Sequence, residues 1–119
     1  MSDYEFTLPW PPSINSYWAT FRGRRLISKK GRLYAKEVDQ ILDDLNLKGE
    51  MISNRLCVHI TLNPPTLRKY DVDNFNKCLF DALSKSGFWV DDEQVVKLTI
   101  EKGVKTPPGN AVVKVTVYD

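Results

Sequence analysis

From residue 56 to residue 62 the chain alternates strictly, Leu56, Val58, Ile60 and Leu62 against Cys57, His59 and Thr61. Successive side chains of a strand leave on opposite faces, so this stretch demands a sheet with one face buried and the other open. Pro64 and Pro65 end it, because proline cannot donate to a ladder. A second alternation, Val113, Val115 and Val117, closes the chain, and shorter ones occupy residues 4–8 and 95–100. Residues 17–21 and 24–28 read as a hairpin about Arg22-Gly23, a weaker turn signal than Asn-Gly.

Two stretches carry helical spacing instead. Residues 30–45 place Tyr34, Val38, Ile41, Leu42 and Leu45 on one face, and from Asp73 onward Phe75, Cys78, Leu79, Ala82 and Leu83 form a second apolar stripe. Gly87 is the expected C′ residue of the second helix, with Phe88 as its apolar contact. Residues 47–54 and 103–110 read as loops. The fold class is α+β: one small mixed β-sheet with two helices packed on a face. At 119 residues, this is expected to be a single domain, residues 1–119. No repeat or low-complexity tract interrupts it.

The chemistry concentrates in residues 70–77, Tyr-Asp-Val-Asp-Asn-Phe-Asn-Lys, and in the later pair Asp91-Asp92. In extended chain Asp71 and Asp73 point the same way, with Val72 free to anchor inward. Held roughly 5 Å apart at an effective dielectric of about 20, they would repel by about 3 kcal/mol, and a third carboxylate would add to that. A positive group between them relieves this. All-oxygen donors suit a hard cation such as Mg²⁺, for which Mn²⁺ can stand in, and not zinc. Lys77, at i+4 from Asp73, can reach the same space. Taken singly, Asp73 reads as an N-cap, Asp73 and Lys77 as a surface pair, and Asp91-Asp92 as a solvated turn. An EF-hand is disfavoured, because Phe75 and Asn76 fall where its loop needs a ligand and a glycine.

Net charge is only +2, yet Arg22, Arg24, Arg25, Lys29, Lys30, Arg32 and Lys36 form a block without an acid among them. Arg68 and Lys69 stand directly before the acidic segment. A basic block alone commonly marks a solvated face. Beside clustered carboxylates it fits a phosphodiester substrate, whose charge must be met around an acidic centre. His59, the single histidine, lacks a nucleophile in a motif and is assigned no catalytic role. Tyr17 and Trp18 could stack on bases, although Trp18 reads as core, as do Trp10 and Trp89. Neither a signal peptide nor a membrane span is visible, so a cytoplasmic protein with reduced cysteines is expected.

Taken together, Asp71-Val72-Asp73-Asn74, Lys77, Phe80-Asp81-Ala82-Leu83 and residues 87–96 (Gly-Phe-Trp-Val-Asp-Asp-Glu-Gln-Val-Val) resemble the RusA-like Holliday junction resolvases, small endodeoxyribonucleases often encoded by prophages. The opening Leu8-Pro9-Trp10-Pro11-Pro12-Ser13, with Asn15 and Tyr17, is similar too, and the likeness runs nearly end to end. The resemblance implies Mg²⁺-binding catalytic aspartates at Asp71, Asp73 and Asp92, a catalytic lysine at Lys77, and a homodimer acting on four-way or otherwise branched DNA in recombination and repair. Arg22, Arg24, Arg25, Lys29, Lys30, Arg68 and Lys69 are then the expected DNA contacts. One departure is Tyr70, where bacterial relatives commonly carry arginine before the first aspartate. The competing expectations are a non-catalytic branched-DNA-binding module, which leaves the acids unexplained, and another small Mg²⁺-dependent phosphoryl-transfer enzyme, for which no Gly-rich nucleotide loop is present.

Overall fold

The computed structural model describes residues 2–118. In chain order these form β1 (Tyr4–Pro9), a one-turn helix α1 (Ile14–Tyr17), β2 (Trp18–Phe21), β3 (Arg24–Ile27), α2 (Lys29–Asp44), β4 (Leu56–Asn63), α3 (Asn76–Lys85), β5 (Val95–Lys102) and β6 (Asn110–Val117). Single 3₁₀ turns at Val72–Asn74 and Asp92–Gln94 flank α3.

The main sheet has the order β1-β6-β4-β5, and β2 with β3 makes a separate two-stranded ribbon. β6 runs antiparallel to both β1 and β4, whereas β5 runs parallel to β4. The α+β class with a mixed sheet therefore holds. The alternation in β4 is realised residue by residue: Leu56, Val58, Ile60 and Leu62 are buried and their neighbours half-exposed. Phe6 and Leu8 of β1 and Ala111, Val113 and Val115 of β6 extend this inner face. Tyr34, Val38 and Leu42 of α2 and Cys78, Leu79, Ala82 and Leu83 of α3 belong to the same core. Burying each large aliphatic of this layer contributes about 1.5–3 kcal/mol.

Parallel neighbours need a crossover, and here it is the whole stretch from Asn63 to Val95, which carries both acidic segments. Its return leg is pinned. Gly87, at φ 73°, ends α3 as expected, with the Phe88 amide donating to the Leu83 carbonyl at 3.1 Å. Phe88 and Trp89 are fully buried, and Ile52 bridges in parallel to Trp89. Part of the stretch expected as plain loop thus pairs with the segment leading to Asp91.

Other boundaries differ from the sequence expectation. Tyr17 ends α1 and does not begin a strand, because Ser13 caps that turn and the backbone turns extended only at Trp18. Leu45 is 48% exposed, since α2 stops before it and the apolar face ends at Leu42. α3 begins at Asn76, with Phe75 and not Asp73 in the cap position. No helix among the described residues is long and apolar enough to cross a membrane.

Candidate active site

Asp71 is extended (φ −98°, ψ 136°), and its carbonyl accepts the Asn74 amide at 3.2 Å, which closes the turn Val72–Asn74. Asp73 lies inside that turn, so the two-residue alternation that would aim both carboxylates at one point does not govern it. Both acids are exposed. The turn packs beside β5, and Tyr70 seats it by edge-on contacts with Trp10 and Phe75, ring centroids 5.5 Å and 5.8 Å away.

Lys77 does not pair back to Asp73. Its Nζ donates to Asp81 Oδ1 at 3.2 Å, one turn further along α3. The other carboxylate oxygen, Oδ2, accepts the Tyr17 hydroxyl at 2.5 Å across 64 residues of sequence. Tyr17 is 1% exposed, so Asp81 is clamped between a buried phenol and a half-exposed ammonium. Burial, and then the bond to Asp81, push the Tyr17 hydroxyl well above the ordinary tyrosine range, which keeps it a donor. The absence of a side chain at Gly31 makes room for this phenol, because a Cβ there would come within 2.8 Å of Tyr17 Cδ1.

Asp92 opens the turn Asp92–Gln94, which packs against α3. Gln94 accepts the Asp91 amide at 2.9 Å and donates to the carbonyls of Ile52 (2.8 Å) and Asn54 (2.6 Å). The half-buried Asp92 carboxyl is raised above its usual value by burial first, then by a bond with Asp91 and the charges of Asp91 and Asp81, with Lys77 opposing. Asp81, Asp91, Asp92 and Lys77 are therefore one electrostatic neighbourhood. The charged groups that shift Asp92 are Asp91, Lys77 and Asp81. Among the described residues no three His, Cys, Asp or Glu side chains are gathered into a metal-holding cluster.

Further cations stand by the segment that leads into Asp71. Lys102, at the end of β5, stands with Nζ 4.6 Å from the Tyr70 ring centroid. With Arg68, Lys69, Lys105 and Tyr70, the residue before Asp71, it lines a shallow surface pocket of about 310 Å³. Lys102 and Lys105 escaped the sequence reading because β5 and the loop after it carry no motif. A cation thus does stand beside Tyr70, delivered from the sheet. Arg22, Arg24 and Arg25 are exposed on the ribbon, and Lys29 and Lys30 are exposed at the start of α2. Asp81 also escaped notice as a functional group, although it sits in a motif of the resemblance. Its side of α3, off the apolar stripe, was the available signal.

The model of the family Endodeoxyribonuclease RusA matches residues 9–118. The chain belongs to the RusA family of endodeoxyribonucleases. It is 40% identical over 116 residues to a crossover junction endodeoxyribonuclease of Enterobacteria phage HK97, covering 98% of this chain and 96% of that one. Crossover junction endodeoxyribonucleases of Shigella sonnei and Escherichia coli are 39% and 38% identical over 120 residues, with the same coverage. The matched residues include both turns that flank α3.

Proposed function

We propose that this protein is a divalent-metal-dependent, structure-selective endodeoxyribonuclease that resolves four-way DNA junctions by paired, symmetric phosphodiester cleavage. The observation that carries the reading is Lys77 held by Asp81 beside Asp92, on a chain of the RusA family throughout its length.

Asp71, Asp73 and Asp92 are not gathered into one cluster in this chain alone, but each offers oxygen donors only, the chemistry that suits Mg²⁺, a cation that takes one or two carboxylates and completes its shell with water and substrate oxygens. Bound there, such a cation supplies Lewis-acid activation of water and relief of charge on the phosphate. The remaining work falls to side chains. Lys77, fixed through Asp81, directs an ammonium at the phosphate and stabilises negative charge as it develops. Arg68, Lys69, Lys102 and Lys105 hold the strand across the acidic centre, and Arg22, Arg24, Arg25, Lys29 and Lys30 contact the arms. Cutting two symmetry-related strands calls for two such centres, which a C₂ homodimer supplies at a fixed separation.

Incubation with a labelled mobile four-way junction in Mg²⁺ tests this directly. Paired nicks at symmetric positions, absent in EDTA and on linear duplex, are expected. Binding without nicking in Mg²⁺, or hydrolysis of small phosphoesters alone, would overturn it. Asp71→Asn should retain junction binding and lose cutting.

A further inference from the structure

The ribbon of β2 and β3 projects from the fold outside the main sheet, with Arg22 (φ 52°) and Gly23 (φ 75°) as its two-residue turn. Positive φ at both central positions is the turn whose twist matches a tight hairpin. An arginine in that conformation costs about 1 kcal/mol against glycine or asparagine, so its place in the turn runs against local preference.

Register divides the ribbon into two faces. Trp18 pairs with Ile27 and Thr20 with Arg25; this face turns to the protein, with Trp18 and Ile27 packed on the core and Arg25 4.3 Å over the Trp18 ring. Ala19 pairs with Leu26 and Phe21 with Arg24 on the other face. There Phe21 is 60% exposed, with the Arg22 guanidinium 5.3 Å from its ring centroid. No acid lies anywhere between Glu5 and Glu37. The ribbon springs from Tyr17, whose hydroxyl is bonded to Asp81 beside Lys77, so its root is fixed to the catalytic helix. Four residues at about 3.4 Å each set the tip roughly 13 Å from that root.

We infer that this ribbon probes the branch point: Arg22 and Arg24 meet phosphates while the Phe21 ring stacks on a base face laid bare where the strands exchange. The inference rests on the reading of branched DNA as substrate. A two-stranded ribbon matches the width of a DNA groove. Phosphates alone would need only the guanidinium groups. Beyond its contact with Arg22, an exposed planar apolar ring set among them gains energy against another planar face or as a wedge between base steps. Continuous duplex offers few such faces, because its bases are stacked; a crossover offers them. Phe21 therefore contributes to branched over linear DNA, and the arginines contribute to both.

The test uses the full protein in EDTA, so that binding is read without cutting, with a four-way junction carrying 2-aminopurine at the crossover and a linear duplex of the same sequence. Wild type should quench the probe. Phe21→Ala should remove the quenching and roughly tenfold of junction affinity, as loss of one stacking partner does, with duplex affinity unchanged. Phe21→Trp should preserve both. Arg24→Gln should weaken the two DNAs alike and reduce the slope of log K against log salt by about one. The ribbon assignment is overturned by unchanged quenching in Phe21→Ala, by equal losses on junction and duplex, or by a change in molar mass on light scattering, which would make Phe21 a contact between copies of this chain. Any of these leaves the cleavage assay above standing. Conversely, a wild type that quenches yet never nicks counts against the nuclease reading alone.

Discussion

Tyr17→Phe removes one oxygen from a buried ring and nothing else. That oxygen donates to Asp81 Oδ2 at 2.5 Å, and the acceptor carboxylate is 23% exposed. A hydrogen bond to a charged group contributes about 1.5–3 kcal/mol. The Lys77 pair on the other carboxylate oxygen is half in water and stabilises by about 0.3–1 kcal/mol. Tyr17→Phe should therefore cost about 2 kcal/mol, which lowers Tm by roughly 8 °C in a chain of this size. Lys77→Ala should cost less than half as much.

Catalysis separates the two roles further. Without the phenol, Asp81 loses its fixed direction, and Lys77 loses the support that aims it. A misdirected ammonium should slow single-turnover junction cleavage roughly tenfold, about 1.4 kcal/mol in the barrier, with junction Kd unaltered. In a Lys77→Ala background the same substitution should slow cleavage no further, because there is nothing left to aim. The assay is a double-mutant cycle on the rate beside thermal unfolding of the same four proteins. Independent, multiplying rate losses would show that Tyr17 acts without Lys77, and the positioning role of Asp81 would fall.

Asp92→Asn should raise Tm while abolishing cleavage, because it removes a half-buried charge crowded by Asp91 and Asp81. A raised carboxyl disfavours the folded state above its folded pKa and ceases to do so below the unfolded value, so the Tm gap to wild type should close as pH falls through the acid range. Burial pushes the Cys78 thiol up to about 12, so in a Cys57→Ser variant, which removes the half-exposed second thiol, a thiol reagent at pH 8 should leave Cys78 unmodified until the protein unfolds; rapid labelling of that native variant would contradict its burial. Lys102→Ala should weaken junction and duplex binding alike and lower the salt slope by about one, read by fluorescence anisotropy.

The strands were legible because a half-buried sheet writes its period into the chain, as Leu56, Val58, Ile60 and Leu62 do, and the helical stripe through Cys78, Leu79, Ala82 and Leu83 was legible for the same reason. Partners chosen by tertiary structure were not. Lys77 could be spaced to Asp73 or to Asp81 with equal local justification, and the phenol arriving from α1 fixes Asp81 in place as the acid that pairs. A one-turn helix such as α1 has too few residues to show a period, so Tyr17 read as strand. The turn Val72–Asn74 likewise hides in a segment whose Asp-x-Asp spacing suggests extended chain.

The carboxamide of Gln94 spans from the turn bearing Asp92 to two carbonyls on the approach to β4. Asp92 thus takes part of its position from main chain some forty residues upstream, beside the buried Phe88 and Trp89 that pin the same return leg. Transplanting residues 91–95 onto another scaffold would carry the acids without their aim. Glutamate at position 94, equal in size but with no hydrogens to give, would leave both carbonyls unanswered and loosen the turn from the approach to β4.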